Sequence, residues 1–561
     1  MNNAQPWVDH YQPGVPAKIE LPQTSLVEMC ADAVEAGGSS TALQFFGRTT
    51  SYQQLGDLIS RAAEGLRQLG VKSGDRVALI MPNCPQHVIA FYAVLRLGAV
   101  VVEHNPLYTA RELRHLFEDH GARVVIAWDA IVSKLRDQPT DIELEHIVSV
   151  NLLNVFPTLK RLALRLPIPS LRATRRRLTQ PAPNTIAWKR LISAPPIAAD
   201  HPVPAVDDLA ALQYTSGTTG RPKGAMLTHK NLYANALQGA AWMHAAVDGH
   251  EVIYAVLPMF HAFGMTLYLT FGILKRARIV LFPNFDVDMV LDAAKKTPPT
   301  VYCAVPPIYD RTAQRAKERG VDLSTAKFCI SGAMTLSDDI VKQWEEVAGG
   351  LLVEGYGLTE SSPVALGNPF HPSRRTGTIG IPFPSTEMRV ADPQDLTKNV
   401  AQGEQGELLL RGPQIFQGYW GAPEETAASL LEDGWLRTGD LVTVDADGFT
   451  TIVDRVKELI ITGGFNVAPT EVESVLRTHV DIEDAAVVGL VQPDGGEKVV
   501  AAVTTREGAK LDTEQVRAWC KERLTAYKVP REITVVDELP KSMLGKILRK
   551  EVRDTLQNNA N

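Results

Sequence analysis

The 561-residue chain has few cysteines and no long hydrophobic run. Its five cysteines are scattered without metal-ligand spacing, so we predict reduced thiols in or near the core. The longest apolar stretch, 262–274, is shorter than the ~20 residues that a membrane-spanning helix needs. The amino terminus also lacks a basic patch followed by an apolar run, the mark of a signal peptide. We therefore expect a soluble, cytoplasmic protein.

A large excess of charge of either sign is also absent. The net charge of −7 is small for this length and argues against nucleic acid as a partner. Hydrophobic residues make up 45% of the chain and charged residues 22%, which is typical of globular proteins. A chain of this length exceeds a single core, so two or more domains are expected.

Short apolar strands alternate with helical patterns through the first part of the chain. Residues 76–81 and 99–103 have the pattern of buried strands, and 88–97 that of a helix. A capping box at Thr109 opens another helix, which is predicted to end near Gly121. This alternation predicts an α/β fold, in which helices flank mixed or largely parallel sheets.

The pattern changes after residue 454. The last hundred residues read as helix, two strands, helix, strand and helix, which is typical of a small α+β domain. We therefore predict a large amino-terminal domain, 1–456, and a small carboxyl-terminal domain, 457–561.

Residues 214–224 combine three glycines, several hydroxyl side chains and a lysine. Glycines let consecutive backbone N–H groups converge on an anion, the hydroxyls add donors, and the lysine adds a positive charge. The spacing differs from that of a P-loop, because Pro222 precedes the lysine. A flexible polar surface loop is the alternative. The favoured prediction is a phosphate-binding loop formed by Thr215, Ser216, Gly217, Thr218, Thr219, Gly220 and Lys223.

Four further motifs follow this loop in order: Glu354-Gly-Tyr-Gly-Leu-Thr-Glu360, Thr438-Gly-Asp440, Asp454-Arg-Val-Lys-Glu458 and Pro540-Lys-Ser-Met-Leu-Gly-Lys546. Together they span nearly the whole chain. In this combination the sequence resembles the adenylate-forming superfamily of acyl-CoA synthetases, aryl-CoA ligases, luciferases and adenylation domains. It is most similar to the bacterial long-chain fatty acyl-CoA synthetases. One departure is Arg437, where those enzymes more often carry histidine.

The resemblance implies a two-step ligase. A carboxylate attacks the α-phosphate of ATP to form an acyl-AMP, and the thiol of coenzyme A then displaces AMP. The implied cofactors are ATP, Mg²⁺ and CoA, and the implied substrate is a medium- or long-chain fatty acid. The sequence leaves open a homodimer.

The sequence is also compatible with three alternative functions. Aryl acids such as cinnamates are the nearest, since they undergo the same chemistry. An acyl-AMP ligase that loads a carrier protein is a second, although the insertion typical of those relatives is not evident between Glu360 and Asp440. A catalytically inactive binding protein is disfavoured, because no expected catalytic position is missing.

The resemblance assigns nucleotide contacts to named residues. Tyr356 would pack on adenine, Thr359 would contact the α-phosphate and Glu360 would hold Mg²⁺. Asp440 would accept hydrogen bonds from the ribose hydroxyls, with Arg455 beside it. The remaining implied nucleotide-site residues are Gly332, Ala333, Glu354, Gly355 and Gly357.

Lys546 resembles the lysine that bridges the carboxylate and the α-phosphate, so we assign it to the first step. Lys457 is the implied hinge about which the small domain rotates between the two steps. Gly463, Gly464 and Phe465 would then face the pantetheine arm of CoA.

The acyl pocket is implied by the aromatic–histidine element 258–264. His261 is expected beside the carboxylate, and small residues leave room for a chain. Leu358 occupies the position at which acetate-selective relatives carry tryptophan. Fatty acids are therefore preferred.

Residues 151–183 break the pattern of the large domain. They carry seven basic side chains and no acidic one, with leucines at near-helical spacing and interrupting prolines. Such a segment can lie on an anionic bilayer, which would make the protein peripherally membrane-associated. We favour the simpler interpretation, a solvated surface insertion, because the apolar face is short.

Overall fold

The computed structural model describes residues 5–136, 142–215, 222–462, 465–492, 497–542 and 545–560. The chain forms two compact units. The larger comprises 7–387 and 410–436, and the smaller comprises 1–6, 388–409 and 437–561. The predicted small domain thus shares its unit with 388–409 and 437–456. The boundary at 457, the hinge and the mobility of the small domain stay predictions.

The largest sheet of the larger unit has seven strands, parallel except at one edge. In spatial order they are Ile186–Ala187, His146–Val150, Val124–Trp128, Arg76–Ile80, Val100–Glu103, Leu209–Thr215 and Lys223–Thr228. The last two form an antiparallel hairpin. The strands predicted near 76 and 99 are confirmed as adjacent members of this sheet, paired in parallel.

Two four-stranded sheets complete the larger unit. One has the order Val252–Ala255, Arg278–Leu281, Thr41–Phe45 and Arg48–Ser51. The other has the order Cys329–Ser331, Leu352–Gly357, Val364–Gly367 and Ile381–Pro382. The first pair of strands in each sheet is parallel, because the chain crosses over through helices before it returns.

Helices cover these sheets, as the α/β prediction requires. Those of at least seven residues are Leu26–Gly37, Tyr52–Gln68, Pro85–Arg96, Ala110–His120, Pro169–Leu178, His229–Trp242, Met265–Phe271, Val287–Ala294, Pro306–Arg319, Asp338–Glu345 and Pro423–Ser429. The predicted capping box is confirmed: the Thr109 hydroxyl accepts from Glu112 N, and the Glu112 carboxylate accepts from Thr109 N at 2.7 Å. That helix ends at Gly121, whose φ of +60° suits glycine.

The smaller unit is an α+β arrangement, as predicted. Most of a five-stranded sheet belongs to it, in the order Asp395–Asn399, Glu387–Asp392, Gly406–Arg411, Leu436–Val444 and Thr450–Arg455. Beyond residue 457 come the strands Ile460–Thr462, Phe465–Val467, Ile482–Val491, Glu497–Thr505 and Glu532–Val535 and the helices Pro469–Arg477, Thr513–Lys521 and Arg549–Ala560.

All five cysteines are buried and unpaired, so the prediction of core thiols is confirmed. The apolar stretch 262–274 folds into a short, mostly buried helical segment inside the larger unit. Within the described ranges, no helix has the length and apolar character needed to cross a membrane.

Candidate active site

The predicted phosphate loop connects the two strands of the edge hairpin. Thr215 and Lys223 are the last paired residues of these antiparallel strands. Strand pairing therefore fixes both ends of the loop. Ser216, Gly217, Thr218, Thr219 and Gly220 lie outside the described residues. Of the predicted loop donors, the structure therefore places Thr215 and Lys223.

Lys223 and Glu360 approach the same aromatic ring. The Lys223 Nζ lies 5.2 Å from the centroid of Tyr419, and the Tyr419 hydroxyl donates to Glu360 Oε1 at 2.6 Å. Burial, with the nearby Glu360 carboxylate, raises the pKa of Tyr419, which therefore remains a donor. A backbone hydrogen bond holds the two segments together, since Phe416 N donates to Glu360 O at 2.9 Å. Tyr419 thus connects the lysine of the phosphate loop with the predicted metal ligand.

The strand residues next to the loop are held by further contacts. The Tyr214 hydroxyl donates to the Asp119 carboxylate, and Trp420 N donates to Gly224 O at 2.8 Å. A Cβ at Gly224 would lie 3.1 Å from the Tyr214 ring. The last glycine of the motif therefore serves close packing against Tyr214.

The predicted adenine motif ends a buried strand. The parallel strands Cys329–Ser331 and Leu352–Gly357 place Ser331 opposite Glu354, so the residues that follow them are neighbours. A Cβ at Gly332 would lie 3.3 Å from Gly355 O, and Ala333 has a φ of +67°. Ligands of α/β sheets bind at such carboxyl ends. The structure thus brings together Gly332, Ala333, Gly355, Tyr356 and Gly357, with half-buried Thr359 and Glu360 in the turn that follows.

Glu354 has structural partners of its own. Its carboxylate accepts from Asn368 Nδ2 and Gly377 N, both at 2.9 Å, and burial raises its pKa. These bonds fix the segment that flanks the adenine motif. A direct nucleotide contact by Glu354 stays a prediction.

His261 caps a short helix beside this region. Its Nδ1 accepts from Phe263 N at 3.4 Å, and burial lowers its pKa, so the neutral ring carries its proton on Nε2. Gly264 permits the turn, because a Cβ there would lie 2.0 Å from Pro258 O. The Phe263 ring packs over Gly332, where a Cβ would come within 3.0 Å. The predicted acyl-pocket loop and the predicted adenine region therefore adjoin.

The larger unit also has a cavity of about 590 Å³ elsewhere. Lys327, Phe328, Glu345 and Phe370 are among its lining residues, and none of the predicted site residues is. The Glu345 carboxylate is bound by Arg374, a structural partner. The convergence of motif residues, rather than this cavity, defines the candidate site.

In the smaller unit, Asp440 and Arg455 are register partners on adjacent strands. Arg455 Nε donates to Asp440 Oδ1 at 3.1 Å, and the Asp440 side chain is 4% exposed. The preceding hydroxyl, Thr438 Oγ1, accepts from Asp440 N at 3.1 Å and fixes the turn. The predicted ribose pair is thus assembled by strand pairing.

Lys546 lies within electrostatic range of this pair. Lys546 is exposed at the surface of the smaller unit. Partial desolvation by the surrounding atoms nevertheless lowers its pKa, Arg455 lowers it further, and Glu458 and Asp440 oppose the shift. Its backbone is fixed by Ser542 N, which donates to Lys546 O at 2.7 Å, after Gly545 turns the chain at a φ of +84°. The structure therefore brings together Asp440, Arg455 and Lys546, three of the seven residues predicted in the smaller unit.

Arg549, three residues beyond Lys546, anchors the lysine-bearing segment. It donates to Glu473 Oε1 and Oε2 at 2.8 and 2.7 Å, to Asp454 Oδ1 at 3.3 Å and to the Glu458 carboxylate. The sequence analysis gave Arg549 no role. Its position three residues after Lys546 was the available signal, whereas nothing local marked Glu473 as its partner.

The structure also places two of the remaining predicted residues. Lys457 lies in the turn Val456–Glu458 between two strands, and Phe465 begins the strand Phe465–Val467. Gly463 and Gly464 lie outside the described residues. Arg437, the departure from the fatty acyl pattern, pairs with the buried Glu407 at 2.8 Å.

Two family models match the chain: AMP-binding enzyme over residues 30–420 and AMP-binding enzyme C-terminal domain over 471–546. The chain is 36% identical to a long-chain-fatty-acid–CoA ligase of Bacillus subtilis, covering 100% of this chain and 99% of the relative. It is 35% identical to the ligase of the same name from Yersinia pestis, over 98% and 97%. A feruloyl-CoA synthase of an Amycolatopsis species is 36% identical, over 92% and 95%.

Solved structures agree with this similarity. ATP-bound MatB from Rhodopseudomonas palustris has a TM-score of 0.80 at 28% identity, with 96% of this chain and 100% of that one covered. The anthranilate CoA ligase AuaEII in complex with anthranoyl-AMP has a TM-score of 0.80 at 26% identity, over 97% and 99%.

The fold, the assembled motifs and these matches define an adenylate-forming enzyme. The chain belongs to the AMP-binding enzyme family. It is an acid–thiol ligase, for which ATP and CoA are fitting substrates.

Proposed function

We propose that this enzyme joins medium- or long-chain fatty acids to CoA through an acyl-AMP. In the first step a carboxylate oxygen attacks the α-phosphorus of ATP and pyrophosphate leaves. In the second, the thiol sulfur of CoA attacks the acyl carbon, AMP leaves, and the thiol proton passes to solvent. The observation that carries this proposal is the clustering of Lys546 with Asp440 and Arg455, in a chain similar to fatty acid ligases over its full length.

Lys546 is assigned to the first step. A carboxylate and a phosphate repel each other, and an ammonium between them offsets that repulsion most strongly as charge shifts in the transition state. Asp440, acceptor-only when ionised, suits the two ribose hydroxyls. Arg455 holds that carboxylate in orientation from the neighbouring strand.

Thr215 and Lys223, with the intervening loop, are assigned to the β- and γ-phosphates, and Tyr356 and Thr359 to adenine and the α-phosphate. Glu360 suits Mg²⁺, which is usually held by one or two carboxylates together with substrate phosphates. Among the described residues no group of three or more His, Cys, Asp or Glu forms a metal cage, which fits that mode of binding. When bound, Mg²⁺ would neutralise phosphate charge. Tyr419 orients Glu360 for this role.

The acyl chain is assigned to the region around Phe263, Gly332 and Leu358, with His261 beside the carboxylate. Neutral His261 can donate from Nε2 to a carboxylate oxygen without adding charge. For the second step we propose Lys457 as the hinge and the segment 463–465 as the pantetheine contact.

The test is to incubate the purified enzyme with ATP, Mg²⁺ and a panel of fatty and aryl acids, with and without CoA. Acyl-AMP and acyl-CoA are resolved by mass. We expect acyl-CoA from medium- or long-chain acids, and acyl-AMP alone when CoA is omitted. No adenylate from any fatty acid would refute the proposal.

Aryl acids are the second candidate, because the feruloyl-CoA synthase matches 92% of the chain at equal identity. A preference for cinnamate-like acids in the same panel would establish it. Acyl-AMP that persists in the presence of CoA would instead indicate transfer to a carrier protein.

A further inference from the structure

A basic projection on the larger unit takes no part in the candidate site. We define it as residues 157–178, which contain the helices Thr158–Ala163 and Pro169–Leu178. It carries seven positive and no negative side chains: Lys160, Arg161, Arg165, Arg172, Arg175, Arg176 and Arg177. All but the half-buried Arg161 are exposed. Among the described residues, none of the seven pairs with a carboxylate. Lys160 donates to Phe46 O at 3.2 Å, a neutral partner that leaves its charge uncompensated. The charge of the projection is therefore available to a ligand.

The same projection exposes large aliphatic side chains. Leu159, Leu162, Leu166 and Ile168 are 82, 50, 49 and 46% exposed. Elsewhere in the described chain, exposed leucine, isoleucine and valine side chains are dispersed, as is normal for a protein surface. Here four exposed aliphatic side chains lie within ten consecutive residues. An insertion that is only solvated does not require such a cluster.

Both ends of the projection are fixed to the body of the larger unit. Just before it, Phe156 is buried and stacks on Phe46 with a centroid distance of 4.2 Å. Just after it, the Thr179 hydroxyl donates to the Asp129 carboxylate, and Gln180 N donates to Asp129 Oδ1 at 3.1 Å. The exposed leucines are therefore held on an anchored element rather than on a free tail.

We propose that the basic projection binds the enzyme to an anionic lipid surface. The cations would contact headgroup phosphates, and the leucines would enter the boundary between headgroups and acyl chains. Without the seven charges the remainder of the chain has a net charge of −14, since the total is −7. Repulsion of that remainder would orient the projection toward the surface. The inference goes beyond the proposed function and does not depend on which acid is activated.

A lipid surface fits better than a nucleic acid. Either polyanion would satisfy the arginines, but only a bilayer interface removes Leu159, Leu162 and Leu166 from water. The aliphatic side chains therefore decide between the two partners, and the experiment must vary charge and apolar area separately.

The test is co-sedimentation of the full chain with vesicles of phosphatidylcholine alone or mixed with phosphatidylglycerol. We expect binding only with phosphatidylglycerol, and weaker binding at high salt. Replacing Arg175, Arg176 and Arg177 by glutamine should lower the partition coefficient about 10²-fold. Replacing Leu159 and Leu162 by serine should lower it about tenfold while leaving every charge in place.

Matched controls lie elsewhere on the surface. Lys295→Gln with Lys296→Gln removes exposed charge, and Val480→Ser removes an exposed aliphatic side chain. Both should leave vesicle binding unchanged. Absence of wild-type binding, or equal binding to phosphatidylcholine alone, would overturn the proposal. The proposal would also be overturned if the leucine variant bound vesicles normally and duplex DNA displaced the vesicles. That result would identify a general polyanion site.

Discussion

Arginine occurs in two contrasting settings in this molecule, one half-buried among carboxylates and one exposed to solvent. Arg549, in the smaller unit, is 16% exposed and meets three carboxylates, of which Asp454 and Glu473 are almost fully buried. The basic projection of the larger unit exposes most of its seven cations, and no described carboxylate pairs with them. In the first region the arginine is paired with carboxylates, and in the second the cations have no carboxylate partner among the described residues.

The difference shows how burial determines the role of a charge. A buried cation is tolerated only when paired and hydrogen-bonded, because desolvation costs several kcal/mol per ion. Water solvates an exposed cation at little cost, so its charge remains free to attract a partner. The Arg549 cluster therefore positions Lys546, whereas the projection has the features of a binding surface.

The largest effect is expected from breaking the Arg549 cluster. Arg549→Gln removes the cation that Asp454, Glu458 and Glu473 share. Glu473 keeps a second ion pair, with Arg477 at 3.6 Å. The change should cost roughly 3–5 kcal/mol. Calorimetric unfolding should show a lower melting temperature. Arg549→Lys keeps the charge but loses the bidentate geometry, so its melting temperature should lie between those of the wild type and Arg549→Gln. An unchanged melting temperature in both variants would show that the cluster is not stabilising.

Removing Lys546, the cation we assign to the first step, should cost rate rather than stability. Lys546→Ala should slow adenylation about 10²–10³-fold, because a preorganised contact to the transition state is lost. Thioester formation from supplied acyl-AMP should persist. Pyrophosphate release and acyl-CoA formation measure the two steps, with Lys550→Ala, an exposed neighbour, as the control. Equal loss of both steps would contradict the assignment.

The pH dependence of adenylation tests the same assignment of Lys546. Since the pKa of Lys546 is lowered, its ammonium is lost at a lower pH than that of an ordinary lysine. Adenylation should therefore fall as the pH rises toward the ordinary lysine value of 10.5. Lys546→Arg, which stays protonated, should remove this alkaline limb even if its rate is lower. An identical limb in both enzymes would assign it to another group.

The smallest effect is expected in the projection. Arg172→Gln removes an exposed cation and should change the free energy of unfolding by no more than ~0.5 kcal/mol. The measurement is the same calorimetric scan as for Arg549→Gln. A loss comparable to that of the Arg549 variant would mean that the projection is a structural element.

Local patterns allowed much of the fold to be predicted. Hydrophobic periodicity located the strands near 76 and 99, and the capping box at Thr109 located a helix start. From Pro469 onward the helices and strands also follow the predicted order, whereas the two short strands before it, Ile460–Thr462 and Phe465–Val467, were not predicted. The distribution of the chain between units was harder, because strand pairing adds 388–409 and 437–456 to the smaller unit.

The contiguous motifs were enough to predict the chemistry. Each motif is contiguous, so its glycines, hydroxyls and charged groups occur together whatever the rest of the chain does, and their order identified the family. How those groups are held depends on contacts between distant parts of the chain. Tyr419 reaches Glu360 across 59 residues, and Arg549 reaches Asp454 across 95. Such contacts form when sheets and helices pack, which no local pattern encodes, and that packing also left the leucines of the projection exposed.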